Sequence, residues 1–223
     1  LSEPKQLFDT VRGYVKHEFG INTVLNRLNL DLIKKLGILG KSDLTLDYDN
    51  TIIFSNKADA KKTYKREYGY CPGVGTIGEV VVYVENRNGN SDAQTLQDET
   101  LQRMFTALDQ ANIKIQNFRA DGASYQLKTI DVASQYADKI YIRARKDQVV
   151  LKAIASITQW EETVRDKETI YFGSTEFTPF IRRAKEHRLE ELLKPYRLVV
   201  YKVSARMAKL ICSPVRPMNT RLL

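Results

Sequence analysis

Apolar residues recur along the chain with two different periods, and the switches between them predict alternating helices and strands. Residues 6–18 and 23–36 each place their apolar side chains on one helical stripe, and Gly37 is suited to end the second helix. Helical patterns also occur at 93–111 and 124–137. Runs rich in Val, Ile, Tyr and Phe predict strands at 44–54, 68–77, 79–85, 113–120 and 139–145.

The order of these elements from residue 44 onward is β-β-β-α-β-α-β. This is the topology of the ribonuclease-H-like fold, in which an antiparallel meander precedes parallel strands joined by helices. In that fold the fourth strand lies beside the first, in the middle of the sheet. We therefore expect an α/β protein with a ribonuclease-H-like mixed sheet at 41–146, preceded by a helical N-terminal segment at 1–40.

Beyond residue 146 the periodicity weakens. The short runs VVLKAIASI, TQWEETV, ETIYFGSTEFTPF and YRLVVYKV predict β elements, and a charged helix is predicted at 181–194. Together they indicate a β-rich inserted or appended part at 147–203, with Trp160 in its small core. Residues 204–223 differ from everything before them, because they contain two prolines, no acidic residue and no clear periodicity.

Composition and charge narrow the class of partner. The net charge of +8 and the isoelectric point near 9.3 favour a polyanion. Cys71 and Cys212 lie far apart, which suggests a reducing compartment and hence a cytoplasmic protein. His17 and His187 lack the spacing of zinc ligands. No apolar run is long enough to span a membrane, so no membrane partner is expected.

Two strands carry carboxylates that could act together. Asp47 and Asp49 stand two residues apart on the first strand and therefore share a face, and Asp121 follows the fourth strand. In the predicted topology Asp49 and Asp121 meet at the centre of the sheet. They could hold Mg²⁺ or Mn²⁺ for two-metal phosphoryl transfer, which normally needs a third carboxylate from a later helix.

Two other interpretations of the stretch LDYDNT stay open at this point. It satisfies the DxDxT motif of haloacid-dehalogenase-type phosphatases, in which Asp47 would attack phosphorus. Against this, no later acidic pair is evident, and the three consecutive strands do not suit a doubly wound sheet. Alternatively, the acids are solvated residues at strand ends.

The run GVGTIG at 73–78 matches GxGxxG in its letters only. A dinucleotide fingerprint needs a helix after the glycines, whereas a strand follows here, so we expect a bend or hairpin and no nucleotide cofactor.

Cations follow the first strand directly, where a DNA substrate of the predicted site would lie. A solvated basic face is one explanation, and a track for the phosphate backbone of DNA is the other. The candidate DNA-binding residues are Lys57, Lys61, Lys62, Lys65, Arg66, Arg119, Arg143 and Arg145.

These motifs together resemble a known family. The segments LDYDNT, KADAKKTYKREYGYCPGVGTIGEVVVYVENRNGNSDAQTLQDETLQRMF, NFRADGASY and YIRAR resemble the DDE transposases of bacterial insertion sequences, DDE domain group 1. The similarity runs from about residue 40 to 203. It implies a ribonuclease-H-like catalytic core with a β-rich insertion. It also implies magnesium-dependent hydrolysis and strand transfer on the double-stranded DNA of insertion-sequence ends, in the bacterial cytoplasm and nucleoid.

The resemblance also implies site residues. Asp49 corresponds to the family's first acid, with Asp47 as the less favoured candidate, and Asp121 corresponds to the second. A homodimer on DNA is compatible with the resemblance. The third acid, a Glu on a helix after the insertion, has no counterpart that we identify before Leu223, so we expect two-thirds of a site and defective catalysis.

The tail at 204–223 suggests a reason for the missing acid. Reading its codons one base earlier permits Thr-Asp-Gly-Lys-Ile-Asn-Leu-Phe-Thr-Gly, which is similar to the family's continuation. We therefore expect a frameshifted, truncated transposase, and the coding DNA decides the matter. A non-catalytic DNA-binding or inhibitory remnant is the alternative function.

Overall fold

A computed structural model describes residues 4–9, 15–40, 42–165 and 168–203. The protein is a mixed α/β structure, as the sequence predicts. Its internal contacts divide the chain into two compact units, Leu1–Arg119 and Ala120–Leu223.

The first unit combines a mixed sheet with two long helices. Its strands are β1 (Pro4–Asp9), β2 (Val15–Gly20), β3 (Thr45–Asn50), β4 (Ile53–Phe54), β5 (Lys61–Lys62), β6 (Tyr68–Tyr70), β7 (Gly73–Ile77), β8 (Val80–Arg87) and β9 (Asn117–Ala120), which ends at the unit boundary. Its helices are α1 (Thr23–Leu36) and α2 (Gln97–Gln110). Within this unit the strands of the mixed sheet follow the order β1-β2-β8-β7-β3-β9, and a separate small sheet has the order β4-β6-β5.

The core of the first unit lies between α2 and the sheet. Leu46 and Tyr48 alternate with polar residues along β3 and are buried. A Cβ atom on Gly75 of β7 would lie only 2.6 Å from the sulfur of Met104, so glycine allows α2 to pack closely there. The apolar face of α2 consists of Leu101, Met104, Phe105 and Leu108, all buried.

Helix α1 binds the backbone of β8 through two amide side chains. Asn26 donates to the carbonyl of Val84 at 2.9 Å and accepts from the N–H of the same residue at 3.0 Å. Asn29 donates to the carbonyl of Val81 at 2.8 Å. The register of β2 with β8 covers Asn86 and Arg87, so these asparagines satisfy backbone groups earlier in the strand.

The second unit contains shorter elements. They are a 3-10 helix (Gly122–Ser124), α3 (Leu127–Tyr136), β10 (Lys139–Ile142), α4 (Gln148–Ala155), β11 (Glu161–Arg165), β12 (Glu168–Phe177), α5 (Ile181–His187), a second 3-10 helix (Glu190–Leu192) and β13 (Tyr196–Val203). An antiparallel sheet has the order β11-β12-β13. Trp160 is half-buried and packs against Gly173 of β12. The range 147–203 thus contains this three-stranded sheet together with α4 and α5, and its interpretation as an inserted or appended β-rich part stays a prediction.

Two predicted elements are wrong. A helix is predicted at 6–18, but the described parts of this range, 6–9 and 15–18, lie in β1 and β2, which pair antiparallel from Pro4 opposite Gly20 to Asp9 opposite Val15. The buried His17 and Phe19 show the period of two that belongs to a strand. The run VVLKAIASI is helical in α4, whose first turn is capped by the side chain of Asp147.

The predicted domain boundaries stay predictions. The contact division falls after Arg119, within the predicted core at 41–146. The proposed frameshifted tail, 204–223, lies outside the described residues.

Stability is expected to fall above pH 10, because buried tyrosines resist ionisation. Burial raises the pKa of Tyr48 from 10.0 to about 12, against a smaller lowering by the charge of Arg87. In the unfolded chain this hydroxyl ionises near pH 10, so its stabilising contribution is complete below pH 10 and is lost as the pH rises towards 12. The loss amounts to roughly 2–3 kcal/mol. Tyr48→Phe is expected to flatten the decline in denaturant unfolding across this range, and identical profiles for variant and wild type would contradict it.

Candidate functional site

Asp47 and Asp49 lie on the same face of β3, as their spacing predicts. The intervening Tyr48 points into the core, whereas Asp47 is half-buried and Asp49 is exposed. One carboxylate oxygen of Asp49 accepts the N–H of Asn50 at 2.8 Å. This hydrogen bond fixes the side chain beside the end of β3 and leaves the carboxylate in contact with solvent.

Asp47 is engaged by an arginine from the neighbouring strand. Arg119 of β9 donates its Nε to one carboxylate oxygen of Asp47 at 2.6 Å and an Nη to the other at 2.7 Å. The same carboxylate raises the pKa of the Arg119 guanidinium through these hydrogen bonds and its charge. Asp47 is therefore bound on both oxygens, and Arg119, predicted to contact DNA, has a carboxylate partner.

Asp121 begins a tight turn in the second unit. It follows β9, is exposed, and accepts the N–H of Ala123 at 2.8 Å, which caps the 3-10 helix. The guanidinium of Arg145 donates to the carbonyl of Gly122 at 2.8 Å. Arg143 is exposed, and its backbone N–H donates to the carbonyl of Ala120. The Asp121 turn is thus flanked by two of the predicted DNA-binding arginines.

The metal prediction stays a prediction. Among the described residues, no group of three or more His, Cys, Asp or Glu side chains is arranged to hold a metal ion. Asp49 and Asp121 carry hard oxygen ligands of the type that Mg²⁺ prefers. Asp49 belongs to the first unit and Asp121 to the second.

The predicted phosphate track is an exposed substructure, which we name the basic finger (residues 53–70). It comprises β4, β5, β6 and the segments between them. Its cations are all exposed, namely Lys57, Lys61, Lys62, Lys65 and Arg66. The acid Asp59 accepts a hydrogen bond from Tyr70 at 2.7 Å, which lowers the pKa of the carboxyl and raises that of the phenol.

Close backbone contacts hold the basic finger in place. Gly89, just after β8, donates its N–H to the carbonyl of Gly69 at 3.0 Å. A Cβ atom on Gly89 would lie 2.4 Å from the carbonyl oxygen of Lys61 and 2.5 Å from that of Gly69. Only a glycine allows this approach without a shift of the backbone.

Sequence reasoning missed a buried charged network beneath the sheet. Glu85 of β8 is fully buried and accepts two hydrogen bonds from Arg103 of α2, each 2.8 Å long. The hydroxyl groups of Thr100 and Tyr83 also donate to Glu85, at 2.8 Å and 3.2 Å. Despite the opposing effect of burial, Glu85 keeps the pKa of Arg103 above its usual value. The run EVVVYVE at 79–85 does contain a sequence signal for this network, because it places the charged residue Glu85 in a strand directly after five apolar residues.

Arg87 is a second buried charge that the sequence did not indicate. It is fully buried, and its guanidinium lies 4.7 Å from the ring centroid of Phe19. It donates to the carbonyls of Asp92 and Thr95. Arg87 therefore fixes the connection between β8 and α2.

One histidine, His17, and one cysteine, Cys71, lie in the protein interior. His17 is buried and shares a hydrogen bond of 3.0 Å with Ser91. Cys71 is a buried free thiol, and burial raises its pKa. Cys212 lies outside the described residues. The glycines of GVGTIG lie in β7 and the turn after it.

The described part of the chain contains no helix that is both long and apolar enough to cross a membrane. The chain matches no protein-family model, and a search of curated proteins found no similar protein.

Proposed function

We propose that the chain is a DDE-type transposase core that binds DNA and carries two of the three metal-binding acids of a phosphodiester-transfer site. The observation that carries the proposal is the neighbouring position of β3 and β9 in the sheet. Asp49 stands near the end of β3, and β9 runs directly into Asp121. The order β8-β7-β3-β9 supports a ribonuclease-H-like arrangement, in which the fourth strand lies beside the first.

In this proposal Asp49 and Asp121 would hold Mg²⁺ or Mn²⁺. The ions would activate water and then a 3′-hydroxyl and would stabilise the charge that develops on the phosphate. Since two carboxylates bind such ions more weakly than three, we expect strand cleavage and strand transfer by this chain to be defective.

DNA binding rests on the cations. The basic finger offers exposed ammonium and guanidinium groups, and Arg143 and Arg145 flank the turn of Asp121. Groups of this kind bind backbone phosphates without reading sequence, and each contact adds to the salt dependence of binding. The proposed partner is the double-stranded DNA of insertion-sequence ends, bound by a monomer or a homodimer.

A non-catalytic DNA-binding or inhibitory remnant is the second candidate function. The ion pair between Arg119 and Asp47 does not distinguish it from the transposase core. The phosphatase alternative is less favoured. A nucleophilic Asp47 would attack phosphorus with a carboxylate oxygen, whereas the hydrogen bonds from Arg119 draw electron density from both oxygens and make them weaker nucleophiles. Turnover of a phosphate monoester that is lost in Asp47→Asn would reverse this preference.

The proposal predicts that any Mg²⁺-dependent cleavage of DNA by this chain depends on both acids. Asp49→Asn and Asp121→Asn are each expected to abolish it, because an amide is a poorer ligand for Mg²⁺ than a carboxylate. Gel analysis of end-labelled linear DNA with Mg²⁺, and with EDTA, measures the cleavage. The matched control is Asp109→Asn, which removes an exposed carboxylate of α2 and should leave cleavage unchanged.

Three outcomes separate the candidates. Cleavage that survives both substitutions would contradict the assignment of the site. DNA binding without any cleavage, even with Mn²⁺, would favour the remnant. Absence of salt-sensitive DNA binding would contradict both.

A further inference from the structure

Exposed aromatic rings concentrate on the basic finger. Among the described residues, the large aromatic side chains that remain exposed are Phe54, Tyr64, Tyr68 and Phe172. The first three belong to the finger, and their exposed fractions are 53%, 73% and 58%. Clusters of exposed apolar surface on a folded protein generally mark a binding site.

The backbone of the finger presents these rings in a defined way. Tyr64 stands at the tip, where Thr63 donates its N–H to the carbonyl of Glu67 at 2.7 Å and Arg66 donates to that of Thr63 at 2.9 Å. Tyr68 lies directly opposite Lys62 in the register of β5 and β6, so the two side chains share a face. The rings are therefore carried by hydrogen-bonded backbone rather than by an open loop.

Tyr64 and Tyr68 each have cations as neighbours in the chain or across the strand pair. Lys65 and Arg66 follow Tyr64 in the chain, and Lys62 is the cross-strand neighbour of Tyr68. The finger carries five cations against the two carboxylates of Asp59 and Glu67, and Tyr70 already engages Asp59. This excess of positive charge favours a polyanionic ligand. A protein surface with few acidic residues would be a poorer partner.

We propose that the basic finger binds unpaired nucleotides, with bases stacked on Tyr64 and Tyr68 and phosphates on the neighbouring cations. An intact duplex hides the faces of its bases, so exposed rings gain little from it. Single strands and opened ends expose base faces, and aromatic rings in a positive groove are the usual platform for them. The inference rests on the proposed function only in taking DNA as the partner. It adds a preference for opened or single-stranded DNA.

Fluorescence anisotropy of the full chain with labelled DNA tests the inference. Three probes of one sequence are compared: a single strand, a blunt duplex and a duplex with an unpaired end. Tyr64→Ala is expected to weaken binding of the single strand and the unpaired end by about 5- to 100-fold, as for loss of one stacked base. Binding of the blunt duplex should stay within about two-fold. Tyr64→Phe keeps the ring and should restore full affinity.

Two controls separate stacking from charge and from unspecific loss. Lys65→Ala is expected to weaken binding of all three probes and to reduce the salt slope by about 1. Phe172→Ala removes an exposed ring from the second unit and should change none of the affinities. Tyr68→Ala should repeat the pattern of Tyr64→Ala.

Several outcomes would overturn the inference. These are an equal loss on blunt duplex and single strand, no loss on any probe, and a change in self-association without a change in DNA affinity. The test stands apart from the catalytic proposal, because Asp49→Asn should leave the preference for unpaired DNA intact. Stacking without cleavage would leave the inference standing while the catalytic assignment fails.

Discussion

Glu85→Ala is expected to lower the free energy of unfolding by about 3 kcal/mol, at the low end of the range for breaking a buried ion pair. The side chain of Glu85 is fully buried, whereas that of Arg103 is 25% exposed. Removing the carboxylate leaves Arg103 without its two short hydrogen bonds and leaves the hydroxyl of Thr100 with only the longer one to the carbonyl of Leu96, at 3.4 Å. Arg103 can still reach water and the carboxylate of Glu99, which limits the loss.

Equilibrium denaturation and thermal melting of Glu85→Ala and of the control variant Glu99→Ala measure this loss of stability. The melting temperature of Glu85→Ala should fall by about 6–12 °C for a chain of this size. Glu99→Ala is the matched control, because it removes the exposed partner of Arg103, 3.6 Å away. It should cost about 0.5 kcal/mol or less. Similar losses in both variants would show that the buried pair has no special role.

The double variant Glu85→Leu with Arg103→Met sharpens the interpretation. Apolar replacement of both partners of a buried ion pair is often neutral, since it removes both desolvation penalties together. We expect the double variant to be clearly more stable than Glu85→Ala. If it is not, the packing volume at this position, rather than an unpaired charge, causes the loss.

Gly89→Ala is expected to destabilise the protein by about 2 kcal/mol, within the range for overpacking. The new methyl group would meet two carbonyl oxygens at 2.4 Å and 2.5 Å, on Lys61 and Gly69. Backbone oxygens cannot rotate away as side chains can, so β5 and β6 must move. The displaced finger should also bind DNA more weakly than the wild-type finger.

Thermal melting and DNA affinity of Gly89→Ala are compared with those of Gly40→Ala. A Cβ atom on Gly40 has no heavy atom nearer than 3.7 Å, so this control should melt close to the wild type and bind DNA equally well. Equal stability of the two variants would contradict the close approach at Gly89. A loss of stability without a loss of DNA affinity would separate the finger's position from its binding.

Local patterns in the sequence predicted several elements well. The helix at 23–36 coincides with α1, because its periodicity is strong, Gly37 ends it and the segment is long enough to be distinctive. The N-terminal segment at 6–18 has almost the same length, yet its helical prediction failed. The antiparallel pairing of β1 with β2 overrides its local periodicity, and that pairing is not visible in the sequence.

The sequence predicted which residues of the candidate site share a face of a strand, but it did not predict which side chains they contact. The strand period placed Asp47 and Asp49 on one face, and this is what β3 has. The pairing of Asp47 with Arg119 depends on β9 lying next to β3, which spans 72 positions of sequence. Of the two carboxylates, tertiary structure thus gave one an arginine partner and left the other exposed.

The sequence by itself determined the mixed α/β class, most strands and helices after residue 20, and a concentration of cations directly after the first acidic strand. These follow from local periodicity and composition, which need no knowledge of distant contacts. Tertiary structure alone decided the antiparallel pairing of β1 with β2, the burial of Glu85 against Arg103, and the close contact of the basic finger with Gly89. Each depends on which distant segments come into contact. Burial then determines how much free energy an unpaired charge, or a side chain added at a glycine, would cost.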